Sequence, residues 1–206
     1  MKKLLFFFFL FVSAQNLFAT HFEAGEITYE YVGTSTTPYK YRITITTYTK
    51  WTSTGSTDNC ELVVHFGDGD TAIAPRINGA YTSPCAPSSA EGEMIPGTTT
   101  RKNIYVAYHN YDGPGNYIIT MEEMNQIDDV CNIPDSENQP FFLRSELVIN
   151  PFLGNNNSPF LINPPIDNAC VGVCFEHNPG AYDIDGDSLY YSLSTCYGED
   201  GLPIPF

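Results

Sequence analysis

Three carboxylates at alternate positions, Asp183-Ile184-Asp185-Gly186-Asp187, carry the strongest chemical signal in this chain. Side chains spaced this way project hard oxygen donors from a turn, the ligand type that Ca²⁺ takes. Calcium is therefore the cofactor expected here, held by Asp183, Asp185 and Asp187. A full site needs about six to eight oxygens and the run supplies three side chains, so a solvated Asp-Gly turn holding no ion stands as the rival account. An EF-hand is excluded, because its sixth and twelfth loop positions require Gly and Glu, and Ser188 and Ser194 stand there. Leu189, Tyr191 and Leu193 then alternate with polar or exposed positions, which predicts a strand over 188–194. An acidic loop feeding a strand is the arrangement of calcium-bound tandem β-sandwiches.

A second acidic turn lies at His65-Phe66-Gly67-Asp68-Gly69-Asp70. It predicts a β-hairpin with Phe66 facing the core and the glycines at positive φ. Asp68 and Asp70 offer oxygens to an ion, but a tight turn accounts better for Gly-Asp-Gly. Enzyme chemistry finds little support. The four histidines (His21, His65, His109, His177) show no H-E-x-x-H spacing, and no G-x-S-x-G elbow or phosphate loop occurs. Glu122/Glu123 and Asp128/Asp129 are sequence neighbours, whose side chains point apart in a strand. The expectation is a non-catalytic protein. The alternative is a carbohydrate-binding module, or part of a carbohydrate-active enzyme, in which Tyr39, Tyr41, Trp51, Tyr105, Tyr108 and Tyr111 form a sugar platform. Tyrosines alternating within strands more often pack in a core.

The elements that must position these groups read as strands. Ile27, Tyr29 and Tyr31 alternate with Thr28 and Glu30, and Tyr39, Tyr41, Ile43 and Ile45 alternate with Lys40, Arg42, Thr44 and Thr46. Period-two alternation marks antiparallel strands with one face buried. The segment from Gly33 to Pro38 suits a hairpin between them, and further strands are predicted at Leu62–Phe66, Lys102–His109, Tyr117–Glu122 and Phe142–Ile149. Asp112-Gly113-Pro114-Gly115 separates two of these. The best helical spacing, at 121–129, suffices for one short turn. The fold class expected is all-β: an immunoglobulin-like or PKD-like antiparallel β-sandwich over 20–150, burying the odd-numbered Tyr and Ile set, followed by the start of a second β-sandwich unit. Residues 151–169 are an Asn/Pro-rich linker, and 170–206 hold an incomplete second unit, as expected of the head of a longer protein.

Composition narrows the partners. Of 206 residues, 24 are acidic and 9 basic, a net charge of -15, which repels phosphate backbones and excludes nucleic acid. Met1-Lys2-Lys3 opens a nine-residue apolar run, Leu4–Val12, too short to span a membrane and followed by small residues. Residues 1–19 therefore read as a signal peptide, with cleavage after Ala19 preferred to cleavage after Ala14, a secreted or cell-surface destination and no transmembrane segment. In an oxidising compartment the six cysteines (Cys60, Cys85, Cys131, Cys170, Cys174, Cys196) read as disulfides in any of 15 full pairings. No CxxC pair supports a zinc site.

Thr20-His21-Phe22-Glu23-Ala24-Gly25-Glu26-Ile27-Thr28-Tyr29, followed by Tyr41-Arg42-Ile43-Thr44 and Tyr48, resembles the opening of large surface proteins of gliding bacteria. Asn157-Ser158-Pro159-Phe160, Pro164-Pro165, Cys170, Asp183–Leu193 and Cys196 resemble the same family's second unit. These are the gliding-motility-associated C-terminal-domain proteins, many with PKD or other immunoglobulin-like repeats. Phe66–Gly69 is similar to the PKD core motif, with His65 where that motif has Asp. The resemblance implies a modular adhesin or scaffold associated with gliding motility, with a surface polysaccharide or another cell-surface protein as partner. It also implies export by the type 9 secretion machinery, a cadherin-like calcium turn at Asp183–Asp187, and a disulfide between Cys170 and Cys196.

Overall fold

A strand with Tyr and Ile on one face needs a second apolar face to cover it, and the computed structural model supplies one. It describes residues 22–51, 58–79, 92–124, 126–128, 130, 133–165 and 171–204. The signal-peptide reading of residues 1–19 and the Thr20-His21 signature lie outside the described residues, as do Cys85, Cys131 and Cys170.

The strands are β1 (Phe22–Tyr31), β2 (Lys40–Lys50), β3 (Glu61–His65), β4 (Thr71–Pro75), β5 (Glu93–Met94), β6 (Thr100–Asn110), β7 (Gly115–Glu123), β8 (Phe141–Ile149), β9 (Phe160–Leu161) and β10 (Ala181–Tyr182). Two four-stranded antiparallel sheets form, one in the order β1-β2-β6-β5 and the other β4-β3-β7-β8. The all-β sandwich expected from the alternation is the fold. Tyr29, Tyr41, Ile43, Ile45 and Tyr105 from the first sheet pack against Leu62, Val64, Phe66, Ile119, Met121 and Leu147 from the second in one buried cluster. The odd-numbered Tyr and Ile set is indeed the inner face. Phe22 stacks on Phe141 with ring centroids 4.9 Å apart, closing the β1–β8 side.

Each hairpin stays within one sheet and each intervening connection changes sheets. The β6–β7 connection is one of the latter, so Asp112–Gly115 turns a corner between sheets. The Tyr117 hydroxyl donates to the Gly113 carbonyl at 2.8 Å and pins that corner. The expected β3–β4 hairpin is present. Phe66 N–H donates to Asp70 O at 3.0 Å, Phe66 is buried, and Gly67 has φ of +85°. A Cβ on Gly67 would lie 2.5 Å from Ile118 N, so this position requires glycine for space as well as conformation. The strand predicted over Tyr117–Glu122 is present, and Met121 lies on its core face with the ladder to β8 running on to Glu123.

Beyond Ile149 the chain runs along the exposed edge of β1. Ser158 N–H donates to Tyr29 O (2.9 Å), Tyr29 N–H donates to Ser158 Oγ (2.8 Å), and Tyr31 N–H donates to Asn157 Oδ1 (2.8 Å). These bonds satisfy an edge that would otherwise template aggregation. β9 and β10 form a two-stranded ladder of their own. The strand predicted over 188–194 is absent. A strand exists only by pairing, no ladder partner lies beside this segment among the described residues, and Tyr190 and Leu193 stand exposed.

Candidate functional site

The acidic turn at 183–187 is fastened to the sandwich. Asp183 is buried, and its Oδ1 accepts the N–H groups of Asp185 (2.9 Å) and Asp187 (3.1 Å). Asp185 turns both oxygens onto Asn157, accepting its backbone N–H at 2.6 Å and its Nδ2 at 3.0 and 3.1 Å. Asn157 in turn caps Tyr31. Two of the three predicted calcium ligands therefore hold the chain in place. The three carboxylates do not form a group within ligand-sharing distance, and only Asp187 is left exposed and uncommitted by a side-chain bond in the turn. The hydrogen-bond pattern is that of an Asx turn, and it leaves carboxylate lone pairs on each of the three side chains.

Ligand atoms do converge on the other acidic turn. Asp68, Asp70 and His109 place one donor atom each within 4.8 Å of one another. Strand periodicity explains how His109 arrives there: Tyr105 and Ala107 face the core, and His109 is the next inward position, at the rim of the sandwich. Its ring lies flat on Phe66 (centroids 4.1 Å, 4° between planes) and meets the edge of Tyr111 (4.6 Å, 88°). The Tyr111 hydroxyl donates to Phe66 O at 3.2 Å and ties the two aromatic walls together. Nε2 is thereby aimed at Asp68 Oδ2, 2.6 Å away. Burial alone would raise the Asp68 carboxyl. The His109 hydrogen bond, the Asp70 N–H and the imidazole charge outweigh it and hold the group below its ordinary range. Sequence reading singled out Asp68 and Asp70 but not His109. The two halves of the site are 41 residues apart, and only the β6 register and the β3–β4 turn bring them together.

A third polar cluster sits deep between the sheets. Asp58, Arg76, Arg101 and Asn103 are all buried. Asp58 Oδ2 lies 3.7 Å from Arg101 Nη1 and 4.0 Å from Arg76 Nη1, and it accepts the Gly92 N–H at 2.8 Å. The Thr49 hydroxyl donates to Asp58 Oδ1, Asn103 Nδ2 donates to Thr49 Oγ1 (3.1 Å), and Arg76 Nη1 donates to Asn103 Oδ1 (3.2 Å). Nothing in the local pattern marks these residues, since a charge in a strand ordinarily reads as solvent-facing. Their burial joins the chain before β3 and after β4 to β2 and β6.

The sugar platform is not assembled. Tyr41, Tyr105 and Tyr111 are core residues, each at most 1% exposed, while Trp51 and Tyr108 are covered in part by Arg101 and Lys40. Cys174 and Cys196 carry free thiols. The Cys170–Cys196 bridge implied by the family resemblance is therefore not formed. Cys196 instead lies in a turn where its carbonyl accepts the Ile204 N–H at 2.9 Å, and Cys170 lies outside the described residues. Cys60 is disulfide-bonded. Among the described residues no helix is long and apolar enough to cross a membrane. No protein-family model, curated protein or solved structure matches the chain.

Proposed function

We propose that this chain is an exported, non-catalytic cell-surface protein whose sandwich is an immunoglobulin-like or PKD-like adhesive or scaffolding module. The observation that carries the reading is strand order. β1-β2-β6-β5 facing β4-β3-β7-β8 repeats the A-B-E-D against C-F-G arrangement of immunoglobulin domains, with one more strand beside C. Tyr117 stands at the start of the strand equivalent to F, its hydroxyl bound to the backbone four residues upstream, which is the tyrosine corner of such sandwiches. Phe66–Gly69 makes the tight turn between the strands equivalent to C and C′.

A rigid sandwich whose polar interior is spent on structure suits adhesion better than turnover. The partner in this reading is a surface polysaccharide or another cell-surface protein. Type 9 export and a role in gliding motility are the expectations carried by the family resemblance. Calcium at Asp183, Asp185 and Asp187 stays part of this reading, since each carboxylate keeps lone pairs beyond the N–H bonds it accepts and further oxygens would have to complete the site. The test is to couple the folded chain to beads and measure retention on bacterial surface polysaccharide and on intact cells, alongside turnover of glycan substrates. Retention without turnover is expected. Turnover abolished by substituting a single carboxylate refutes the reading, and glycan binding lost on Trp51→Ala moves it to a carbohydrate-binding module.

A further inference from the structure

We propose that Asp68, Asp70 and His109 form a binding site for a divalent transition-metal ion of the zinc class, clipping the two sheets together at one rim of the sandwich. The donor set is one imidazole and two carboxylates. Imidazole nitrogen favours zinc and its first-row neighbours, whereas calcium takes oxygen ligands, so His109 decides the class of ion.

Preorganisation separates this cluster from a chance grouping of surface acids. The imidazole lies flat on Phe66 with Tyr111 against it, both 1% exposed, and these contacts fix the ring plane in which Nε2 meets Asp68. Asp68 is fixed from the other side by the Asp70 N–H on its Oδ1 (3.0 Å). Gly67, packed against the Ile118 backbone, sets the turn on which both carboxylates ride. Ligand atoms around a tetrahedral ion with ~2.0 Å bonds lie roughly 3.3 Å apart. The 2.6 Å separation of Nε2 from Asp68 Oδ2 opens slightly to reach this, and the exposed Asp70 side chain swings inward to meet it. Binding exchanges the hydrogen-bonded proton between His109 and Asp68 for the ion and releases it to solvent. Three protein ligands leave a fourth position to water or to a donor from a partner surface.

The geometry has a mechanical consequence. Asp68 and Asp70 belong to the β3–β4 turn of one sheet, while His109 ends β6 in the other. An ion bridging them resists separation of the sheets, as an inter-sheet crosslink does.

The test is isothermal titration of the full chain with ZnCl2 and, separately, CaCl2, after alkylation of the free thiols of Cys174 and Cys196. One equivalent of zinc is expected, bound at least tenfold more tightly than calcium. His109→Gln should weaken zinc more than about 100-fold, beyond what loss of an outer-shell partner costs. His177→Gln should leave it unchanged. Asp70→Asn, at an exposed side chain that contributes nothing to packing, should weaken zinc with an unaltered melting curve, which guards against misfolding of the His109 variant. Zinc bound as tightly by His109→Gln as by wild type, calcium bound as tightly as zinc, or no saturable zinc heat would each overturn the proposal.

Discussion

Replacing Asp58 by Asn removes a negative charge lying beside two buried guanidinium groups and leaves the side-chain volume almost unchanged. Arg76 and Arg101 stand 4.0 and 3.7 Å from Asp58 Oδ2, with the three side chains 0–5% exposed. At an effective dielectric of about 20, each attraction is worth about 4 kcal/mol before desolvation. Most of that is offset by the cost of burying the ions, but the variant takes this counter-charge away from two buried guanidinium groups, a loss of about 3–5 kcal/mol. The Asn side chain keeps an oxygen for the Thr49 hydroxyl but places an amide or a neutral oxygen against the Gly92 N–H, which weakens the second bond. For a chain of this size each kcal/mol moves the melting midpoint roughly 2–4 °C, so the expected fall is roughly 6–20 °C. Urea denaturation followed by tyrosine fluorescence and far-UV dichroism would give the free energy at constant m. Arg101→Gln should cost less, because Asp58 keeps Arg76. In the Asp58→Asn/Arg101→Gln double variant the two losses should be less than additive. A loss under about 1 kcal/mol for Asp58→Asn, the value of an exposed pair, would refute the account of a buried hub.

Three further outcomes follow from the same geometry. Gly67→Ala should cost at least about 2 kcal/mol, through strained φ and a clash with the Ile118 backbone, and more than Gly69→Ala, whose Cβ meets nothing within 4 Å; equal losses by thermal melting would count against the close approach. Glu26 accepts the Leu161 N–H in a half-buried position, and burial raises its carboxyl above 4.5 despite that bond and the charge of Lys102. Because the folded pKa is raised, its favourable contribution is present at low pH and is lost as pH rises through the folded value. Glu26→Gln should therefore raise the melting midpoint at pH 7 relative to wild type, and the gain should shrink as pH falls through the raised folded value toward 4.5; a gain independent of pH refutes the burial argument. Millimolar Ca²⁺ against excess EDTA decides the 183–187 turn: an ion at 100 times its dissociation constant adds about 2.7 kcal/mol, or roughly 5–11 °C, and the rise should be lost in Asp187→Asn, whereas an unmoved midpoint refutes calcium there.

The split between what is legible in the chain and what is not follows the range of the physics involved. Alternation of Tyr29, Tyr41, Ile43 and Ile45 with polar neighbours names both the strands and their inner face, because a pleated backbone has period two whatever it pairs with. Gly67 and Gly69 announce their turn because positive φ is a property of one residue. Where pairing decides, the local pattern misleads. Leu189, Tyr191 and Leu193 alternate as cleanly as any strand here, yet with no neighbouring edge among the described residues to complete a ladder they remain irregular chain.

The polar sites belong wholly to the second category. Asp183–Asp187 is a run of alternate carboxylates in one dimension; only folding brings Asn157 to Asp185 and so ties the turn to the edge of β1. His109 looks like one more strand residue until sheet order places the end of β6 beside the β3–β4 turn. Asp58, Arg76 and Arg101 are ordinary surface charges by type, and only strand order closes them into the interior. Residue type and spacing along the chain determine the turns and which face of a strand is apolar, because those depend on nearest neighbours. Which distant polar groups share a hydrogen bond, an ion or a buried charge depends on how the strands are ordered across the two sheets, and the tertiary fold alone decides that.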